Sequence, residues 1–363
     1  LSGVVGEAIA IGDALPGGEA EGRVKRIGIL TGGGDCPGLN AAIRAVVRKA
    51  VGLQGYEILG FRDGWRGVMN GEVDELTVES VQGILHRGGT ILGSSGSNPF
   101  HEGGSERVRR TFRDLGIDGL IAIGGDGTLS AAARLTEEGM PVVGIPKTID
   151  NDLSGTDLCI GFSTAVQVAT DALDRLHSTA ESHNRLMLVE VMGRTAGWIA
   201  LEAGIAGGAD TILIPEHPFD LDEVASHLRR RHLRGHSFSI VVVAEGAIPV
   251  AGSLELPPYP LDVRGFPRFG GIAHVLAPLL EAATGWEARV TQLGHVQRGG
   301  TPTAADRILA TRFGSAAVDL AVRGAWGRMV ALEGSEIVDV ALADAAKVRP
   351  VPEELYRVAE IFF

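Results

Sequence analysis

Short apolar runs that stop at glycine, proline or a polar tip recur along this chain, and they constrain its fold more than any other feature. Runs of this length bounded by turn residues read as strands buried on both faces, the kind found in parallel sheets covered by helices. Residues 25–30 run into a loop at 31–40, and 41–51 then has helical composition. Residues 57–61 end in Arg62-Asp63-Gly64, and residues 118–123 end at 124–128 ahead of a helix over 129–138. Residues 142–145 end in Pro146-Lys147-Thr148-Ile149-Asp150-Asn151-Asp152, with an amphipathic helix expected over 163–179. Strands at 186–191, 211–214, 238–244 and 289–293 then stop at Met192, Pro215, Glu245 and Gly294 respectively. This alternation indicates an α/β fold, and in open parallel sheets ligands collect beyond the carboxyl ends of the strands.

With 363 residues the chain exceeds one typical domain, so two lobes sharing a cleft are expected. A net charge of −12 excludes the overall basic footprint of a nucleic-acid binder, so any anion must be held by local clusters. No apolar run reaches the roughly 18 residues of a bilayer span, which points to a soluble protein without a membrane partner. Cys36 and Cys159 lie far apart and form no metal-ligand spacing, in keeping with a reducing cytoplasm. Residues 1–23 lack the features of a secretory signal and read as a mobile tail. Residues 248–270, rich in Pro and Gly, read as an excursion between a strand and a helix. The basic stretch at 229–236 reads as solvated charge on a helix, with an anionic effector as the alternative.

The loops carry the chemistry. Gly32-Gly33-Gly34-Asp35-Cys36-Pro37-Gly38 between a strand and a helix suits a phosphate, because glycines let backbone N–H groups approach an anion and the helix start adds a favourable dipole. A tight turn that needs glycine for its dihedrals explains the same loop equally well. At Gly124-Gly125-Asp126-Gly127-Thr128 an Asp between glycines can reach a hydrated Mg²⁺ while the backbone wraps phosphate oxygens. Residues 87–98, dense in Gly, Ser and Thr, can form a wall of a nucleotide site, and Trp65 reads as core rather than a base-stacking ring. Of Asp150 and Asp152, either can act as a base, or both, with Asn151, simply cap a turn, and Arg185 and Arg194 at strand ends are either phosphate clamps or surface ion pairs.

Taken in order, GGGDCPGLN at 32–40, GGDGT at 124–128, PKTIDND at 146–152, MGR at 192–194 and LGHVQRGGTP at 293–302 closely resemble the bacterial 6-phosphofructokinase family, over nearly everything from about Arg23 onward. The resemblance implies two doubly wound, Rossmann-like lobes with mostly parallel central sheets around an interlobe active-site cleft. It assigns 24–161 and 297–347 to a large phosphoryl-donor lobe, and 162–296 and 348–363 to a small fructose 6-phosphate lobe. It implies transfer of the terminal phosphoryl of ATP to the C1 hydroxyl of fructose 6-phosphate, with Mg²⁺, in glycolysis.

By the same resemblance Asp150 is the catalytic base, Thr148 and Asp152 position the sugar and the transferred group, and Arg194 offsets charge in the transition state. Met192, Gly193, Glu245, His295 and Arg298 match positions that hold the sugar phosphate, while Arg185 and Arg289 match residues that reach a neighbouring subunit's site. That implies self-association, a homotetramer with a dimer as the alternative. Gly34, Gly125, Asp126, Gly127 and Thr128 fall on the donor side, with Asp126 toward the metal.

Departures from the family pattern bear on the donor. Lys147 stands where common ATP-dependent members have Gly, and Lys there is typical of pyrophosphate-dependent relatives. Those relatives usually place Asp where this chain has Gly127, and a carboxylate at that point would crowd and repel a nucleotide's α-phosphate. Gly96 replaces an Arg, and Ala131 a Gly, on the nucleotide side. ATP is the expected donor, with a pyrophosphate-dependent enzyme and a silent nucleotide- or sugar-phosphate-binding regulator as alternatives. Arg44 and Arg48 match effector-binding residues, but Val78, His177 and His236 replace other basic residues, so weak or altered regulation is expected.

Overall fold

The computed structural model describes residues 25–101, 103–261 and 267–361, so the tail at 1–23 and residues 262–266 of the excursion lie outside the described residues. In chain order the strands and helices are β1 (Arg26–Thr31), α1 (Leu39–Gln54), β2 (Glu57–Phe61), α2 (Trp65–Asn70), β3 (Val73–Leu76), α3 (Gly104–Leu115), β4 (Gly119–Gly124), α4 (Asp126–Glu137) and β5 (Val142–Pro146). They continue as α5 (Phe162–His183), β6 (Leu186–Val191), α6 (Trp198–Ala206), β7 (Thr211–Leu213), α7 (Leu221–Leu233), β8 (Ser239–Ala244), α8 (Ile272–Thr284) and β9 (Ala288–Gln292). The last are α9 (Ala304–Val322), β10 (Arg328–Glu333), β11 (Glu336–Ala341) and α10 (Glu353–Glu360).

The chain divides into two compact units. One comprises residues up to Thr148, Leu153–Gly161 and Arg298–Val348; the other comprises Ile149–Asp152, Phe162–Gln297 and Arg349–Phe363. The segment Ile149–Asp152, expected in the first lobe, groups with the second unit, where the amide of Arg349 donates to the Asp152 carbonyl at 2.7 Å.

The first unit holds a seven-stranded sheet in the order β11-β10-β5-β4-β1-β2-β3. Its inner pairings are parallel, whereas β3 on β2 and β11 on β10 run antiparallel at the two edges. The inner strands β4 (GLIAIG) and β5 (VVGIP) are buried throughout, as strands covered on both faces must be. The edges carry charge instead, in VDEL of β3 and EIVDVA of β11, which discourages further strand pairing. Trp65 is buried in the core beside Phe61, Val68 and Phe112.

The second unit holds a four-stranded sheet in the order β7-β8-β6-β9, parallel throughout. Leu186, Leu188, Val241 and Val243 from its strands pack with Val224, Leu228, Leu276 and Leu280 from α7 and α8. Asp220 caps α7, accepting from the amides of Asp222 at 2.8 Å and Glu223 at 3.2 Å, which satisfies donors that a helix start leaves open. The basic stretch is more engaged than solvated charge would be: Arg231 pairs with Asp210 at 2.6 Å, Arg229 donates to the Ala283 carbonyl at 2.6 Å, and His232 lies 4.5 Å from the Trp286 ring.

Candidate active site

In the first unit the glycine loop after β1 is tied down from several directions. The amide of Gly32 donates to the Ile123 carbonyl at 2.9 Å and that of Gly33 to the Ser95 carbonyl at 3.0 Å. The Lys147 ammonium, 3% exposed, donates to the carbonyls of Gly32, at 3.0 Å, and Gly34. Its charge opposes the rise in the neighbouring Cys36 thiol pKa, which burial pushes far above the ordinary range. Asn40, buried in the first turn of α1, holds residues 87–91 in place. It donates to the carbonyls of Arg87 and Gly88 at 3.1 and 3.2 Å and accepts from the amide of Ile91 at 2.8 Å. Sequence reading passed over Asn40, although an Asn inside a helix start, where its side chain competes with the backbone, is a signal of such a role.

The loop after β4 approaches the same place. A Cβ added at Gly32 would meet the Thr128 hydroxyl at 2.5 Å and one at Gly124 would meet Thr128 Cβ at 2.3 Å, so the buried Thr128 side chain fits only because both neighbours are glycine. Asp126, exposed in the first turn of α4, accepts from the Ser130 hydroxyl at 3.1 Å, and Gly125 sits against Lys147 and Thr148. Around Gly127, by contrast, an added Cβ would meet nothing within 4 Å. The guanidinium of Arg298 lies against Gly34, where an added Cβ would stand 2.5 Å from Nη1. A residue expected to hold the sugar phosphate is thus beside one expected on the donor side.

After β5 the chain passes through half-buried Thr148 to Asp150 and Asn151, 5% and 1% exposed. Asn151 adopts a left-handed backbone, φ 52°, a conformation that Asn tolerates better than most residues.

In the second unit the loops at the carboxyl ends of β6 and β8 are clasped by a carboxylate. Glu245 Oε1 accepts from the amides of Gly193 at 3.3 Å and Arg194 at 3.0 Å. Arg194 has φ 54° and an exposed side chain, and its carbonyl lies so close to Gly246 that a Cβ there would be 1.8 Å away. Met192 is buried beneath this loop. His295 is exposed on the 3-10 turn Gly294–Arg298 that follows β9.

Arg185 and Arg289 stand elsewhere in this unit. Arg185 directly precedes β6, Arg289 is the second residue of the parallel strand β9, and both pair with Glu287, Arg185 at 2.6 Å. They therefore lie at the amino ends of strands whose carboxyl ends lead to Met192–Arg194 and His295, about 15–20 Å apart at the usual rise per residue.

Glycine loops at the carboxyl ends of parallel strands, a buried Asp after one of them and charged side chains after the others define a phosphate-handling α/β protein. The chain belongs to the phosphofructokinase family, whose profile matches residues 26–321. It is 56% identical over 340 residues, 93% of this chain and 99% of the relative, to a pyrophosphate–fructose 6-phosphate 1-phosphotransferase of Amycolatopsis methanolica. It is 55% identical over 337 residues, 92% of this chain and 99% of the relative, to ATP-dependent 6-phosphofructokinase 3 of Streptomyces coelicolor. Among solved structures, Pichia pastoris phosphofructokinase in the T-state aligns with a TM-score of 0.78 at 34% identity, over 98% of this chain and 40% of the yeast chain. Among the described residues no helix is long and apolar enough to cross a membrane.

Proposed function

We propose that this protein is an ATP-dependent 6-phosphofructokinase that transfers the terminal phosphoryl of ATP to the C1 hydroxyl of fructose 6-phosphate. Asp150 takes the hydroxyl proton as that oxygen attacks, the work of a positioned carboxylate. Thr148 and Asp152 position the sugar and the transferred group, and Arg194 offsets the charge that develops on the phosphoryl oxygens. Met192, Gly193, Glu245, His295 and Arg298 hold the sugar phosphate. Gly34, Gly125, Asp126, Gly127 and Thr128 surround the donor's phosphates. Asp126, an exposed hard-oxygen donor at a helix start, fits Mg²⁺. Bound there, Mg²⁺ would neutralise phosphate charge.

Relatives of nearly equal identity carry both donor names, so identity alone does not separate ATP from pyrophosphate. The observation that carries the ATP reading is the open space at Gly127. Neither packing nor a left-handed backbone requires glycine there, so the missing side chain leaves room for a ligand beside the start of α4. Lys147 favours the pyrophosphate reading by its identity, yet its ammonium is engaged by the carbonyls of Gly32 and Gly34. A coupled assay with each donor decides between them, and turnover with pyrophosphate alone would sink the ATP assignment. Gly127→Asp is expected to raise the KM for ATP about tenfold through charge repulsion at close range. An unchanged KM would remove the steric and electrostatic argument.

Arg185 and Arg289, placed at the opposite strand ends from Arg194 and His295, serve a neighbouring copy's sugar-phosphate site in a homotetramer. Mixed oligomers of Asp150→Asn and Arg289→Ala chains should regain activity that neither variant has alone. Mixtures as inactive as their components would argue for sites built within one chain.

A further inference from the structure

Among the described residues, the most deeply buried carboxylate in the second unit that this reading leaves unused is Glu190, 1% exposed in β6. Its Oε1 accepts from the amide of Gly271 and from the Gln292 side-chain amide, both at 2.7 Å, and its Oε2 accepts from the amide of Ala273 at 2.9 Å. All three partners are donors, so a side chain that brings a donor of its own would leave one of them facing a like group. Gly270, with φ 116°, lets the chain pass close by, since a Cβ there would stand 2.8 Å from Gln292 Nε2 and 3.4 Å from Glu190 Oε1.

What these bonds join gives the arrangement its meaning. Two residues after Glu190, its own strand delivers Met192 and then Gly193 and Arg194. Its backbone carbonyl accepts from the amide of Leu293 at 3.0 Å, and its side chain holds Gln292, so the turn bearing His295 is fixed on two sides. Gly271 and Ala273 begin α8, where the excursion after β8 returns. That excursion is also fastened to the end of β8, because the Tyr259 hydroxyl donates to the Glu245 carbonyl at 2.9 Å. Burial and then the nearby charges of Glu190 and Glu245 push the Tyr259 phenol up, so it remains a protonated donor at neutral pH. One buried side chain therefore joins the strand that leads to Arg194, the residue before the turn that carries His295, and the start of α8.

We propose that Glu190 is the positioning residue of the sugar-phosphate side, setting the mutual placement of the tips after β6 and β9 and bracing them against the start of α8. The inference rests on the phosphofructokinase reading for its substrate but not for its geometry. Glu190→Gln presents one amide group to a donor in place of an acceptor. The expected result is a KM for fructose 6-phosphate raised about tenfold, the scale of a buried group left facing a like partner, with the KM for ATP unchanged. Glu190→Asp, which keeps the charge, should recover part of the loss. A merely structural role would lower the active fraction, and so kcat, with both KM values as in wild type; that result overturns the proposal.

Hydrogen exchange supplies a readout independent of activity. In Glu190→Gln the amides of 192–194 and 293–295 should exchange faster together with those of 271–273, and a change confined to 271–273 would refute the shared brace. If the wild-type protein turned over no fructose 6-phosphate, the functional reading would fail while the exchange experiment still judged Glu190. Should Glu190→Gln fail to fold, Gln292→Met must shift the KM for fructose 6-phosphate in the same direction by a smaller factor, and a wild-type KM there would overturn the proposal.

Discussion

The loop at the end of β1 is held by a cation that takes its carbonyls, whereas the loop at the end of β6 is held by an anion, at the end of β8, that takes its amides. Lys147 bonds the Gly32 and Gly34 carbonyls; Glu245 bonds the Gly193 and Arg194 amides. The difference follows from what each loop is proposed to meet. A phosphate approaching a glycine loop is repelled by carbonyl dipoles, so drawing those carbonyls to an ammonium leaves a surface more hospitable to an anion. In the second unit the proposed ligand contacts include the exposed side chains of Arg194 and His295, which a rigid backbone must present. A buried carboxylate that gathers amides fixes the tip while leaving those side chains exposed.

Several substitutions test this contrast. The largest effect is expected at neither clasp but at the chemistry itself: Asp150→Asn should lower kcat about a thousandfold while fructose 6-phosphate still binds, which isothermal calorimetry can read. Loss of binding in parallel with kcat would assign Asp150 to the framework instead.

Lys147→Met comes next. It keeps the length of the side chain and removes both carbonyl bonds, so kcat should fall about a hundredfold and the KM for the donor rise, with the KM for fructose 6-phosphate unchanged. The same variant carries a pH reading. Burial raises the Cys36 thiol pKa and Lys147 lowers it, so at pH 8 the thiol is un-ionised in wild type and more so in Lys147→Met. Neither folded protein should react at Cys36 with a disulfide reagent at that pH, and thiolate chemistry there without unfolding would contradict the assigned environment.

Glu245→Gln should do the reverse of Lys147→Met in substrate terms, raising the KM for fructose 6-phosphate about tenfold and leaving the donor's KM alone. A rise in both would erase the distinction between the two kinds of clasp. The smallest effect belongs to Asp220→Ala, where a carboxylate also gathers two amides but only to cap α7. Denaturant unfolding should show a loss of about 1 kcal/mol with both KM values unchanged.

The same contrast explains what was legible in the sequence. Loops built from glycine announce themselves, because glycine is visible in the sequence wherever the chain makes a close approach, as at 32 and 124, or leaves open space, as at 127. The inner strands were legible for a similar reason, since burial on both faces leaves unbroken apolar runs such as those of β4 and β5. Glu190 was not, because a Glu within LMLVEV looks like an interruption until Gly271, Ala273 and Gln292 are brought beside it from more than eighty residues away. The strands β3, β10 and β11 also escaped notice. The mixed, charged composition of β3 and β11 suits a sheet edge and leaves no uniform apolar run, while the short run at 329–332 in β10 is flanked by Arg328 and Glu333. Helix α9 bears a weaker signal because Ala and Gly share its buried face with Leu309, Phe313, Val318 and Leu320.

The order in which β5 finds its partners has a consequence for the growing chain. One side of β5 pairs with β4 as soon as both exist, but the other pairs with β10, which is translated only after the whole sheet of the second unit. A nascent chain thus carries an apolar strand with one open edge while β6 to β9 are made, long enough for the second unit to assemble first. The ribosome-bound intermediate should therefore contain the complete four-stranded sheet of the second unit, still awaiting Arg349–Phe363, beside an incomplete first sheet, and its open β5 edge is the place where a chaperone would be most useful.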